Sequence, residues 1–165
     1  MSIWIPAREI SITWSHDTRY WNWTQDDSCS AEVAVLESVC WMDIWKNVNL
    51  RSLPLKTSYS AYLVFKLKDD AVNLERVFAS VRYVKEISEG CIDQGYTVLI
   101  DTKSCDEGAK GRYPHVRRDG WSEIQLGEFF NNLGDDGEVE LRLFEKDDLK
   151  WKSGLIIRGI DIRPN

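Results

Sequence analysis

Apolar and polar positions alternate through most of the chain. In "YSAYLVFKL" the residues Tyr59, Ala61, Leu63, Phe65 and Leu67 alternate with Ser60, Tyr62, Val64 and Lys66. Successive strand side chains point to opposite faces, so this run predicts a strand with one face in a core. "WSEIQL" sets Ile124 and Leu126 against Glu123 and Gln125, and "EVELRL" sets Val139, Leu141 and Leu143 against Glu138, Glu140 and Arg142. "SVRYV" and "YTVLI" are shorter candidates. "SGLIIRGIDIR" closes the chain as a long strand, with a bulge expected at Gly159. Asp-Gly turns in "RRDGW" (117–121) and "GDDG" (134–137) separate these runs.

Only "SAEVAVLESV", Ser30 to Val39, predicts a helix, with Ser30 as its cap and Val33, Leu36 and Val39 spaced by three. The following "CWMDIWKNV" already has strand character. Many short strands joined by polar turns imply an all-β fold. The expected architecture is a two-sheet antiparallel β-sandwich, jelly-roll-like, with at most one short helix. No linker, repeat or low-complexity stretch divides the chain, so residues 1–165 read as a single domain.

Composition narrows the chemistry. A chain of 165 residues buries enough surface to fold without a metal or disulfide staple. The net charge of −6 disfavours polyanion binding through a generally basic surface. "KGRYPHVRR" (110–118) is a local exception and reads as a solvated loop. No apolar run approaches the roughly 18 residues of a membrane span, so no membrane insertion is expected. The N-terminus "MSIWIPAREI" lacks the charged and apolar regions of a signal peptide. The sequon "NWT" (22–24) is therefore expected to stay unmodified, and Cys29, Cys40, Cys91 and Cys105 to remain thiols. Cys40 reads as the most core-like of these and Cys105 as the most exposed.

Two His and no CxxC pair give no convincing metal set, and no cofactor is implied. Nucleotide-binding glycine motifs and the GxSxG elbow are absent. Asp135, Asp136, Glu138, Glu140, Glu145, Asp147 and Asp148 suit acidic turns and solvated strand faces better than a glycosidase pair. A non-enzyme is expected.

Eight tryptophans are unusual, and Trp14, Trp21 and Trp23 crowd into "ITWSHDTRYWNWT". By strand phase Trp14 shares a face with Ile10 and Ile12, on the core side. Trp21 and Trp23 share a face beyond the polar break "SHDTR", interleaved with Asn22 and Thr24, which suits a binding surface. Such a surface fits sugars: polarised C–H groups of a pyranose pack on the negative face of an indole. The hydroxyls then need polar partners, because buried unpaired groups are costly.

The segments "AREISITWSHDTRYWNW", "EVAVLESVCWMDIWKNV", "YSAYLVFKL", "RRDGWSEIQLGEFFNNLGDDGEVE" and "WKSGLIIRGIDIRP" resemble, in order, the phloem protein 2 (Nictaba-like) family of plant lectins. The resemblance implies a non-catalytic lectin for N-acetylglucosamine oligomers: chitooligosaccharides, or the core glycans of N-acetylglucosamine-containing glycoproteins. It also implies a homodimer of the cytoplasm and nucleus or of phloem sap. Some members carry an F-box, and no such adaptor role is expected for a chain that starts at the lectin segment. Carried across residue by residue, sugar binding falls on Trp14, Trp21, Glu138 and Glu145. Strand phase instead ranks Trp21 first and Trp23 next, and leaves Trp14 open between core and site. The odd spacing of Glu138 and Glu145 would point them to opposite faces of an unbroken strand. Trp151 and Lys152 in "KWKSG", and the polar "DTKSCD", are weaker candidates. RNA binding through the 110–118 loop is the alternative from another class. Thiol cross-linking is a third reading, and glycoside hydrolysis a fourth.

Overall fold

The computed structural model describes residues 2–87, 95–104 and 108–165. Among the described residues twelve strands form two sheets, and every pair of these strands is antiparallel. The first sheet has seven strands in the order β3 (Trp21–Asp26), β4 (Ala31–Leu36), β12 (Ser153–Pro164), β6 (Thr57–Val72), β10 (Ser122–Asn131) and β9 (His115–Val116), with β1 (Ile3–Pro6) also paired to β12. The second has five: β2 (Ser11–Ile12), β5 (Met42–Asn49), β11 (Glu138–Glu145), β7 (Val77–Tyr83) and β8 (Tyr96–Val98). The alternating runs become strands as expected, and Tyr59, Ala61, Leu63 and Phe65 line the main core with Ile124, Leu126, Val139, Leu141 and Leu143.

The helix expected over Ser30–Val39 does not form. Ala31–Leu36 is the strand β4, and Ser30 sits in the preceding turn with φ 52°. The misleading signal has a clear cause, because β4 is buried on both faces. Ala34 and Leu36 enter the main core, while Val33 and Val35 face the other way into a second cluster with Val64 and Trp121. A doubly buried strand loses its alternation and imitates helical spacing. The helical turns among the described residues are four 3-10 turns of three residues each.

Gly159 does mark a bulge. Ile157 pairs with Phe65 and Gly159 with Val64, so Arg158 is the extra residue. The same point divides the far edge of β12, where β4 pairs with Ile156 and Ile157, and β1 takes over from Gly159 to Ile162. A Cβ at Gly159 would run into the Ile5 carbonyl and the Trp4 indole.

The Asp119-Gly120 turn throws Trp121 back over the outer face of the first sheet. Its N–H is fixed by Asp119 Oδ1 (3.0 Å), and its indole N–H donates to Ser28 Oγ (3.2 Å). Trp121 is wholly buried, with Lys66 Nζ 4.5 Å from its ring centroid. Registers also show where loops gather. Ile12 pairs with Ile44, Glu145 with Met42, Val39 with Lys152 and Trp21 with Leu36. Segments 13–20, 37–41 and 146–151 therefore leave the sandwich at one end.

Candidate functional site: an indole surface on three loops

Strand β2 stops at Ile12, and the chain turns where the sequence phase expected it to continue. Ser15 N–H bonds the Ile12 carbonyl (3.1 Å), and Trp14 takes a left-handed φ of 64°. This carries the indole out of the core phase to the surface, 37% exposed. Its ring lies 5.2 Å from that of Tyr20 and 6.2 Å, edge to face, from that of Trp41. Trp41 is itself exposed at the end of the 37–41 segment. Two loops thus build one aromatic surface.

Charged groups frame it. Arg19 stacks over Tyr20 at 5.1 Å and is gripped by Asp17, Nη2 to Oδ2 at 2.7 Å. The Arg19 side chain and backbone N–H hold the Asp17 carboxyl down at about 2. Lys146 Nζ stands 5.9 Å from the Trp41 ring and 3.8 Å from Asp43.

The third loop is tied to the second by Lys152. Its side chain is wholly buried, and Nζ donates to the carbonyls of Cys40 (3.1 Å) and Lys150 (2.9 Å) and to Asp148 Oδ1 (3.0 Å). All three ammonium protons are placed. Backbone bonds between Val39 and Lys152 complete the clasp. Burial opposes ionisation of Asp148, yet the Lys150 N–H and the Lys152 ammonium hold its carboxyl below the ordinary value. Glu145, buried, takes the N–H groups of Asp147 (2.8 Å) and Asp148 (3.1 Å) and so sets the start of the same loop. Trp151 rides on that loop, 55% exposed.

The expected faces of the N-terminal tryptophans are thereby inverted. Trp14 is at the surface, and Trp21, ranked first as a stacking ring, is 1% exposed in the main core. Trp23 does share its face, half-buried against that core. Its indole N–H donates to Ser15 O (3.0 Å), and Arg8 covers its ring at 4.0 Å. Phase cannot be carried across a turn, and the "SHDTR" break reset it. Lys152 and Glu145 are inside the loop framework rather than open to solvent. Glu138, exposed, lies at the other end of β11, roughly 24 Å away at about 3.4 Å per residue. Strand β11 is unbroken between Glu138 and Glu145, so the odd spacing separates them as expected.

Trp41 and Tyr20 were not singled out by the sequence. A usable signal exists for Trp41: it is out of phase with Met42 and Ile44, which face the core. Cys40, expected in the core, is a half-buried thiol, and Cys91 and Cys105 fall outside the described residues.

Comparison with known proteins decides the family. The phloem protein 2 family model matches residues 1–164. The chain belongs to the phloem protein 2 family. Among its relatives is the F-box protein PP2-B10 of Arabidopsis thaliana, 37% identical over 166 residues, which cover 97% of this chain and 59% of that protein. The F-box protein VBF of the same plant is 31% identical over 182 residues, covering 97% and 64%. The chain thus spans about three-fifths of the length of these family members. Among solved structures, a family 35 carbohydrate-binding module from Clostridium thermocellum matches with a TM-score of 0.53 and 10% identity, over 98% of this chain and 97% of that one. That likeness identifies the sandwich fold.

Proposed function

We propose that this protein is a non-catalytic, lectin-like carbohydrate binder whose site is the loop end bearing Trp14, Tyr20, Trp41 and Trp151. The observation that carries the reading is the contact of Trp14 with both Tyr20 and Trp41 at the surface. Exposed aromatic rings that touch form a platform without having to order on binding, which limits the entropic cost. Sugar C–H faces pack on such rings, while Lys146, Asp147 and Arg19 offer donors and acceptors at the rim. Family membership and the carbohydrate-binding fold neighbour support the same reading. N-acetylglucosamine oligomers are the proposed ligands, since linked sugars match a row of rings and an acetamido methyl adds apolar contact. Two sites on a homodimer would add avidity.

Isothermal titration with chitotriose tests it. Millimolar or tighter binding is expected, with Trp41→Ala losing at least about tenfold, or 1.4 kcal/mol. Retained affinity in both Trp41→Ala and Trp14→Ala, with far-ultraviolet circular dichroism unchanged, would remove this surface as the site.

A further inference from the structure

The first sheet is stepped beside β10. That strand begins at Ser122, opposite Phe65, whereas β6 runs on to Val72. The step leaves a cavity of about 550 Å³, walled by Lys66 and Leu67 of β6, by Asp101 and Lys103, and by Tyr113 and Pro114 ahead of β9. This volume lies within the roughly 300–1,000 Å³ of small-molecule sites. It suits one or two rings rather than a polymer.

The charge of the walls is uneven. Lys103 is exposed and forms no ion pair among the described residues. Lys66 Nζ rests on neutral groups, Ser28 Oγ at 3.3 Å and the Trp121 face at 4.5 Å. The acid it influences, Asp26, is held below its ordinary value first by its bond from Ser28 Oγ. Asp101, the acid of the lining, is buried and takes the Lys103 backbone N–H at 3.1 Å, within its own turn. Two lysines therefore line a space whose acid is buried and takes a backbone N–H. The hydroxyl of Tyr113 is spent on the Ala109 carbonyl (2.5 Å), so its exposed ring is what it offers.

We propose that this cavity is a second binding site, for a sugar-sized ring bearing one carboxylate or phosphate. The anionic group pairs with Lys66 and Lys103, which act as point charges, and the ring packs on Tyr113 and Pro114. None of these residues belongs to the indole surface, so the inference stands apart from the glycan reading.

The test is a chemical-shift titration of the full chain with glucose-6-phosphate, glucuronate, glucose and inorganic phosphate, with Lys103→Glu and Tyr113→Ala alongside. Both ringed anions should bind saturably, weaken with added salt, and bind at least about tenfold more weakly to Lys103→Glu. Glucose should not bind here, and chitotriose binding should be unchanged in both variants. Lys103 and Tyr113 are exposed, so the fold survives either change. No saturation below about 10 mM, or equal affinity in Lys103→Glu, overturns the site. Inorganic phosphate binding as tightly as glucose-6-phosphate, with no loss in Tyr113→Ala, overturns the ring-binding role. The two anions separate carboxylate from phosphate as the preferred group.

Discussion

A lysine ammonium has three protons to place, and Lys152 places all of them inside the protein, two on carbonyls and one on Asp148. Lys152→Met should leave two part-buried carbonyls and the Asp148 carboxylate without this donor and cost about 3 kcal/mol, read by urea unfolding. It should also weaken chitotriose binding, because the freed carbonyl of Cys40 precedes Trp41 directly. Trp41→Ala should weaken binding with little loss of stability, and the pair of variants separates clasp from platform. Backbone conformation makes a second claim at this scale. Leu149, on the same loop, is 66% exposed and held at φ 56°. A side chain with a Cβ is strained there, by roughly 1–2 kcal/mol. Leu149→Gly should therefore raise the thermal midpoint, and a fall in a calorimetric scan would refute the strain.

Strand β12 shows what one position can do to an element. Its bulge sends Arg158 outward, 5.5 Å from the rings of both Trp4 and Trp121 and 3.0 Å from Asp119. Gly159→Ala would press a methyl into the neighbouring β1 backbone, so a loss of about 2–3 kcal/mol is expected by denaturant titration. The bulge, the strands and both Asp-Gly turns were legible in the sequence because each rests on a local rule. β4 was not, since its second buried face exists only once Trp121 folds over it. The candidate site was half legible. Trp14 and Trp151 stood out as residues, but the reading of Trp21 as a platform failed at a turn that resets phase. The roles of Lys152 and Glu145 depend on which loops lie beside them, and that is set by sheet order.

For the whole molecule, acid is the natural probe. Arg19 bonds hold Asp17 at about 2, and Arg8 bonds lower Glu32. Asp119 is likewise lowered, against its burial, by the Trp121 N–H and by Arg117 and Arg158. Such groups bind protons less readily folded than unfolded. Their contribution is therefore complete above about pH 5 and lost progressively as pH falls below it. Asp161 has the opposite sign, because burial raises its carboxyl on the outer face of the first sheet. Its ionised form burdens the fold once pH exceeds the ordinary aspartate value. Asp161→Asn should be more stable than the parent near pH 7, and the difference should vanish near pH 3. Thermal midpoints across that range check both statements.

The division of indoles between core and surface also makes the protein its own optical probe. Trp21 and Trp121 are sealed from water, while Trp4, Trp14, Trp41 and Trp151 are exposed. Sealed rings emit at shorter wavelengths and are shielded from a dissolved quencher such as acrylamide; exposed rings emit to the red and are quenched. A sugar seated on the loop end should protect only the red-emitting fraction, and denaturant should shift the blue one. One emission spectrum then separates occupancy from unfolding without any added label.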